Sequence, residues 1–383
     1  MRETDSHIVS AACVDLTTSA DPVNELATSL PDKEYAFIIL LVSPEGNLEQ
    51  IAKDLRSRVR TEQIIGARTA GEICNRGYSN SKIVALAFPA THFVAEAWLV
   101  ESLLDVSMED VSRQVLNMRQ QARTRAAGFD NEFAFLLVDG LSRKEDSLLA
   151  KVSAALGSMQ LFGGSSGDGL NFEHAPILYN GKVYEDAAIL MVVRSNCAVR
   201  VFREDHFERS DLRLVVTGAV PEQRLVTEIN AEPAAPEYAR LVGIDPQQLS
   251  PFIFASHPIV VSVGDQHHVR AIQKVENNRH LRFFSSIDEG MVLTVADAKG
   301  ISTHLQQVLT GLYAQEEPDM IFACDCILRR LEAEQKGELE VMSRMLSEHR
   351  VFGFSTYGEQ FNALHVNQTL TGLAIYPPST LST

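Results

Sequence analysis

Two stretches carry the same polar residues at the same spacing. Gly66 to Glu72 reads GARTAGE and Gly353 to Glu359 reads GFSTYGE, so both fit G-x-x-T-x-G-E. Each follows an apolar run and precedes another strand-like run, and a degraded third copy, LFGGSSGDGL, lies at 161–170. Glu72 and Glu359 thereby place a carboxylate at equivalent loop positions, where a small-molecule cleft between repeats would find its lining. The competing reading is a turn that needs a positive φ angle. GGSSGDG fits neither of the two glycine-rich phosphate-binding patterns and no lysine follows it, which favours a tight bend over a phosphate loop.

Histidine supplies the other candidate chemistry. Eleven occur, among them His206 in REDHFE, His257 in FASHPIVV, the pair His267-His268, and His365 in NALHVNQT. No H-x-x-x-H pattern exists to suggest a closed zinc site. A single histidine in an apolar setting suffices for a haem iron and leaves no spacing to detect, while a hydrogen-bonded structural histidine is the alternative for each. His257 lies beside Phe252, Phe254 and Pro258, ahead of an apolar run. Nucleophilic catalysis finds little support, although Ser165, Ser166 and Ser355 sit in tight turns. Asp139 and Asp325 at strand ends suit acid–base work or helix capping equally. The chain reads as a binding protein, not an enzyme.

Composition narrows the partners. A net charge of −16 argues against nucleic acid and anionic membrane surfaces, which need a basic face. No apolar run approaches a bilayer span and no signal peptide is evident, so the expected location is cytoplasmic. Five cysteines without a C-x-x-C pair suit a reducing compartment. Cys324 and Cys326 point to opposite faces if 318–326 is a strand, which favours buried structural roles over a metal pair.

The elements that must position these residues repeat. Apolar runs begin at Glu34, Glu132 and Pro318, and each is followed by a helical segment and then by a strand broken at Gly66, Gly163 or Gly353. DPVNELATSL opens a helix capped by Asp21 with Pro22 in its first turn, and EAEQKGELEVMSRMLSEH reads as the helix of the third round. Strand–helix–strand–strand units recurring this way signal internal duplication. After residue 200 the pattern alternates apolar and polar residues, with Asn277-Asn278 as a hairpin turn. The expectation is an α/β (α+β) fold of mixed sheets with helices packed on them and a β-rich C-terminal half, divided into domains 1–200 and 201–383.

CDCILRRLE, GFSTYGEQFNALHVNQTLTGLAI and IIGARTAGEI together resemble the FIST family of bacterial sensory proteins, with FIST N and FIST C halves over nearly the whole chain. DCILRRLE, EINAEPAAPEYARLVG, FASHPIVV and HVNQT are similar to the branch called NosP. That resemblance implies a haem b cofactor, nitric oxide as ligand, and output to a separate histidine kinase or cyclic-di-GMP enzyme, since the two halves leave no segment for an output domain. It implies an iron ligand among His257, His206 and His365, in that order, and propionate contacts from Arg329 and Arg330. A homodimer is a further expectation. The broader FIST reading implies instead a receptor for a small metabolite such as an amino acid, with Glu359, Asn367 and Thr369 lining its cleft.

Overall fold

A computed structural model describes residues 7–263 and 266–378. Three copies of one plan make up most of it. The first unit runs β1 (Ser10–Asp15), α1 (Pro22–Ser29), β2 (Glu34–Val42), α2 (Leu48–Arg56), β3 (Arg60–Arg68), a hairpin of β4 (Glu72–Cys74) and β5 (Gly77–Ser79), and a return strand β6 (Lys82–Pro89). The second runs β7 (Phe93–Val100), α3 (Met108–Arg125), β8 (Asn131–Val138), α4 (Glu145–Leu156), β9 (Leu161–Ser165), β10 (Ile177–Tyr179), β11 (Lys182–Tyr184) and β12 (Ala188–Ser195).

The third unit opens with β13 (Val199–Glu204) and is then interrupted by a β-rich insertion. The insertion comprises β14 (Phe207–Val220), β15 (Leu225–Ile229), β16 (Glu232–Pro233), α5 (Ala234–Val242), α6 (Pro251–Ser256), β17 (Ile259–Val263), β18 (Gln266–Arg270), β19 (Ile272–Glu276), β20 (His280–Phe283) and β21 (Val292–Ala298). The unit resumes with α7 (Ile301–Tyr313), β22 (Met320–Cys326), α8 (Ile327–Gln335), α9 (Leu339–Glu348), β23 (Val351–Thr356), β24 (Glu359–Phe361), β25 (Leu364–Val366) and β26 (Leu370–Ile375).

Each unit builds a sheet in which the central strand pairs parallel with the strand carrying the motif glycine and antiparallel with the return strand. The glycine is required by that pairing. Gly66 lies opposite Leu40, Gly163 opposite Leu136 and Gly353 opposite Ala323, and a Cβ at any of the three would run into the carbonyl oxygen of its partner. The hairpins then leave home. β4–β5 joins the third sheet beside β23, β24–β25 joins the second beside β9, and β10–β11 joins the first beside β3. The exchange is cyclic, so every sheet is completed by a neighbouring unit.

The central strands are apolar on both sides because both sides are covered. Ile39 and Leu41, Phe135 and Leu137, and Phe322 and Cys324 turn inward to one shared core. There the rings of Phe135, Phe162 and Phe322 lie 5.1–5.5 Å apart. The alternate residues turn outward under each unit's own helices, as the two-residue period of a strand requires. The insertion folds as an antiparallel sheet over its own core. It packs Ala255, Val260, Val269 and Phe284 against Ala70 of the first unit, Ala175 of the second and Tyr357 of the third.

The mixed α+β architecture is as the sequence implies, and Asn277 and Asn278 take positive φ values of 52° and 55° at their turn. The helix expected over EAEQKGELEVMSRMLSEH is instead two, α8 and α9, because Gly337 sits between them at φ 69°. By pairing, β13 belongs with β26 in the third sheet.

Candidate functional site

The motif carboxylates act as internal locks. Glu72 accepts hydrogen bonds from Ser43 Oγ at 2.7 Å, from Thr69 Oγ1 and from the Lys82 amide at 3.2 Å. Glu359 accepts from Thr356 Oγ1, and from Thr369 Oγ1 and its amide at 2.8 and 3.2 Å. Each ties its motif threonine to the start of the return strand. Both are fully buried, and burial pushes their carboxyl groups up to about 7 and about 8. In the second unit Ser166 and Gly169 replace the threonine and glutamate. Asp139 takes over there, accepting from the Leu141 and Asp186 amides at 2.9 and 2.6 Å.

The segments that carry the resemblance converge on α6 and α8. Gln368 of HVNQT donates to the Ala255 carbonyl in α6 at 2.8 Å, and the Ser256 hydroxyl reaches Gln335 of α8 at 2.5 Å. Tyr238, from EINAEPAAPEYARLVG, donates to the His257 carbonyl at 2.7 Å. The Cys326 amide, at the head of α8, bonds the Thr369 carbonyl at 3.2 Å. Segments far apart in sequence thus become one patch where the insertion meets the third unit.

Beside that patch a chain of buried charges crosses the molecule. Tyr78 of the exchanged hairpin donates to Asp325, which also accepts from Arg329 Nε at 2.8 Å. Arg329 Nη1 contacts His206 Nδ1 at 2.9 Å, and His206 Nε2 contacts Glu332 at 2.9 Å. Lys336 closes the chain on Glu332 at 2.6 Å. A guanidinium only donates, so the His206 proton sits on Nε2 and is given to Glu332. Burial lowers the affinity of His206 for a second proton. Arg329 is fully buried in this network, and Arg330 donates to the Ser79 carbonyl at 3.0 Å and lies over the Tyr78 ring. Both guanidiniums are thus engaged with the protein rather than presented to a ligand.

The three candidate histidines do not share a site. His206 has both ring nitrogens engaged. His257 closes α6 half-buried, its Nδ1 3.3 Å from the Ile253 carbonyl, and its Nε2 has no partner among the described residues. His365 is buried in β25 with Nε2 unpartnered. Two neighbours share that state: Gln360 Oε1 and Asn367 Oδ1 are also buried without partners among the described residues. Sequence reasoning named His365 and Asn367 but not Gln360, because only burial distinguishes such a polar residue from a solvated one.

Gly163 to Gly167 spells G-x-S-x-G, yet Ser165 lies within β9 and its Oγ accepts from Gln360 Nε2 at 2.9 Å, with no base beside it. That is not the strand–turn–helix of a nucleophile elbow. Among the described residues no cluster of three or more histidine, cysteine, aspartate or glutamate residues is arranged to hold a metal ion. Nor is any helix among them long and apolar enough to cross a membrane.

Comparison with known proteins agrees with the motif geometry. No curated protein matches the chain. The FIST N domain family matches residues 36–232 and the FIST C domain family residues 234–362. FIST domains are sensory domains of signal transduction. With both domains present over most of its length, the chain belongs to the FIST family.

Proposed function

We propose that the protein is a haem-binding nitric oxide sensor that signals to a separate histidine kinase or cyclic-di-GMP enzyme, and that His257 is the iron ligand. The supporting observation is the convergence on α6 of FASHP, HVNQT and the helix of ILRRLE, with His257 Nε2 unpartnered among the described residues. The donor chemistry fits: a neutral imidazole whose Nδ1–H is held by a carbonyl is the form that ligates a metal through Nε2. Haem, if bound, would be held by the His257 imidazole and would supply an iron able to take up nitric oxide. The support is this donor set and not a preformed volume, since five cavities of 310–570 Å³ are lined by no histidine.

His257 ends α6, and α6 is tied through Ala255 and Ser256 to Gln368 and Gln335. A pull on the imidazole is therefore passed to α8 and the third unit. For signalling, the two ligand states must differ in affinity for the output partner. Hemin added to the purified protein should give a Soret band that shifts with nitric oxide. His257→Ala should abolish that spectrum and external imidazole should restore it. Retention of the wild-type spectrum by His257→Ala would transfer the role to His365; a protein that takes up no hemin would end the haem reading.

The buried acceptors of Gln360 and Asn367 beside His365 favour a second reading, a receptor for a small hydrogen-bond donor such as an amino acid. Asn367 belongs to that cluster, whereas Glu359 and Thr369 are bonded to each other. Amino acids that raise the melting temperature of a hemin-refractory protein would establish it.

A further inference from the structure

A second site lies away from His257, in a cavity of about 310 Å³ between the loops after β8 and before β10 and the strands β19 and β20 of the insertion. Its position at the carboxyl end of a parallel strand is where α/β sheets present ligands. Three non-glycine residues that line it have positive φ: Arg143 at 56°, Phe172 at 57° and Arg224 at 52°. Such conformations are unfavourable for side chains of this size, and they gather at ligand sites where the surroundings enforce them.

Two of the wall's guanidiniums are fixed by carboxylates and a third, Arg143, is not, with the exposed Glu173 as the other carboxylate of the lining. Arg282 is held by Glu276 through contacts of 2.5 and 2.8 Å, and Arg224 by Glu145 at 2.6 Å. Arg143 makes no hydrogen bond or ion pair among the described residues, and Lys274 on the same wall shares Glu276 at 3.7 Å. Partial burial, then the charges of Arg282 and Arg224, disfavour the ionised form of Arg143. In a chain of net charge −16, cations crowded without an equal number of lining carboxylates are conspicuous. The rings of Phe172 and Phe284, 5.7 Å apart, supply an apolar wall.

We propose that this cavity binds a small metabolite through a compact oxyanion, a carboxylate or a phosphate, received by the Arg143 guanidinium. The planar fork of arginine matches either group with two parallel hydrogen bonds. Binding here is independent of haem at His257.

Calorimetric titration of the haem-free protein with succinate and with inorganic phosphate, at matched ionic strength against chloride, tests the proposal and separates the two anion types. Saturable binding of at least one is expected, weakened tenfold or more by Arg143→Gln. Arg143→Gly should also lose binding while raising the melting temperature, because glycine adopts the positive φ without penalty; a purely structural arginine would not show that split. Hemin uptake by both variants should match the parent. No saturable binding of either anion, equal heat from chloride, or affinity unchanged in Arg143→Gln would each overturn the assignment.

Discussion

Glu359 stands at the point where motif chemistry and stability meet. Its carboxyl is raised from 4.5 to about 8 by burial, so the folded state holds the proton more tightly than the unfolded chain. The contribution of such a group is complete below the unfolded value and is lost as pH rises towards the folded one. Stability should therefore fall between about pH 4.5 and about pH 8, by up to about 1.4 kcal/mol per unit at this one site. Glu72 acts in the same sense up to about 7. Glu359→Gln, which imitates the protonated acid, should flatten that slope in urea melts run across the range; an unchanged slope would remove Glu359 as its source. Arg329 makes a different prediction. Replacing it with alanine leaves the buried Asp325 carboxylate with Tyr78 as its remaining partner and His206 Nδ1 without its donor, at a cost of about 3–5 kcal/mol measured by chemical denaturation.

At the scale of elements, the glycine of each motif decides whether two parallel strands can meet. Gly353→Ala puts a methyl group onto the Ala323 carbonyl, and a loss of about 3 kcal/mol is expected in a thermal or urea melt. Gly157→Ala, with open space around its Cβ but φ at 63° and ψ at −117°, should cost about 1–3 kcal/mol from backbone strain alone. Much of this scale was legible beforehand. The three apolar central strands, Asp21 as a cap with Pro22 behind it, and the recurring glycine all follow from local pattern. The hairpin exchange was not, because β4 carries nothing that distinguishes β23 of another repeat from its own sheet as a partner. Gly337 was visible as a letter, but only its left-handed conformation shows that it divides α8 from α9.

At the scale of the molecule, the exchange binds the halves together. A fragment of residues 1–200 would lose β23 as the partner of β4 and β24 as the partner of β9. It should stay unfolded or aggregate, with no cooperative melt by circular dichroism. A sharp transition in that fragment would show that the borrowed hairpins are dispensable. The site was legible here only in outline. The motif histidines could be named, but that His206 is consumed by Arg329 and Glu332 depends on contacts across more than a hundred residues, whereas His257 bonds only the Ile253 carbonyl four residues back.

The insertion after β13 is the one break in an otherwise threefold plan, and it comes to rest on Ala70, Ala175 and Tyr357, one residue from each repeat. It forms a roof at the hub of a trefoil, and anything that lifts it is felt by all three lobes together. A receptor built this way can change what it detects by rewriting the roof, while the lobes beneath go on relaying in the same manner.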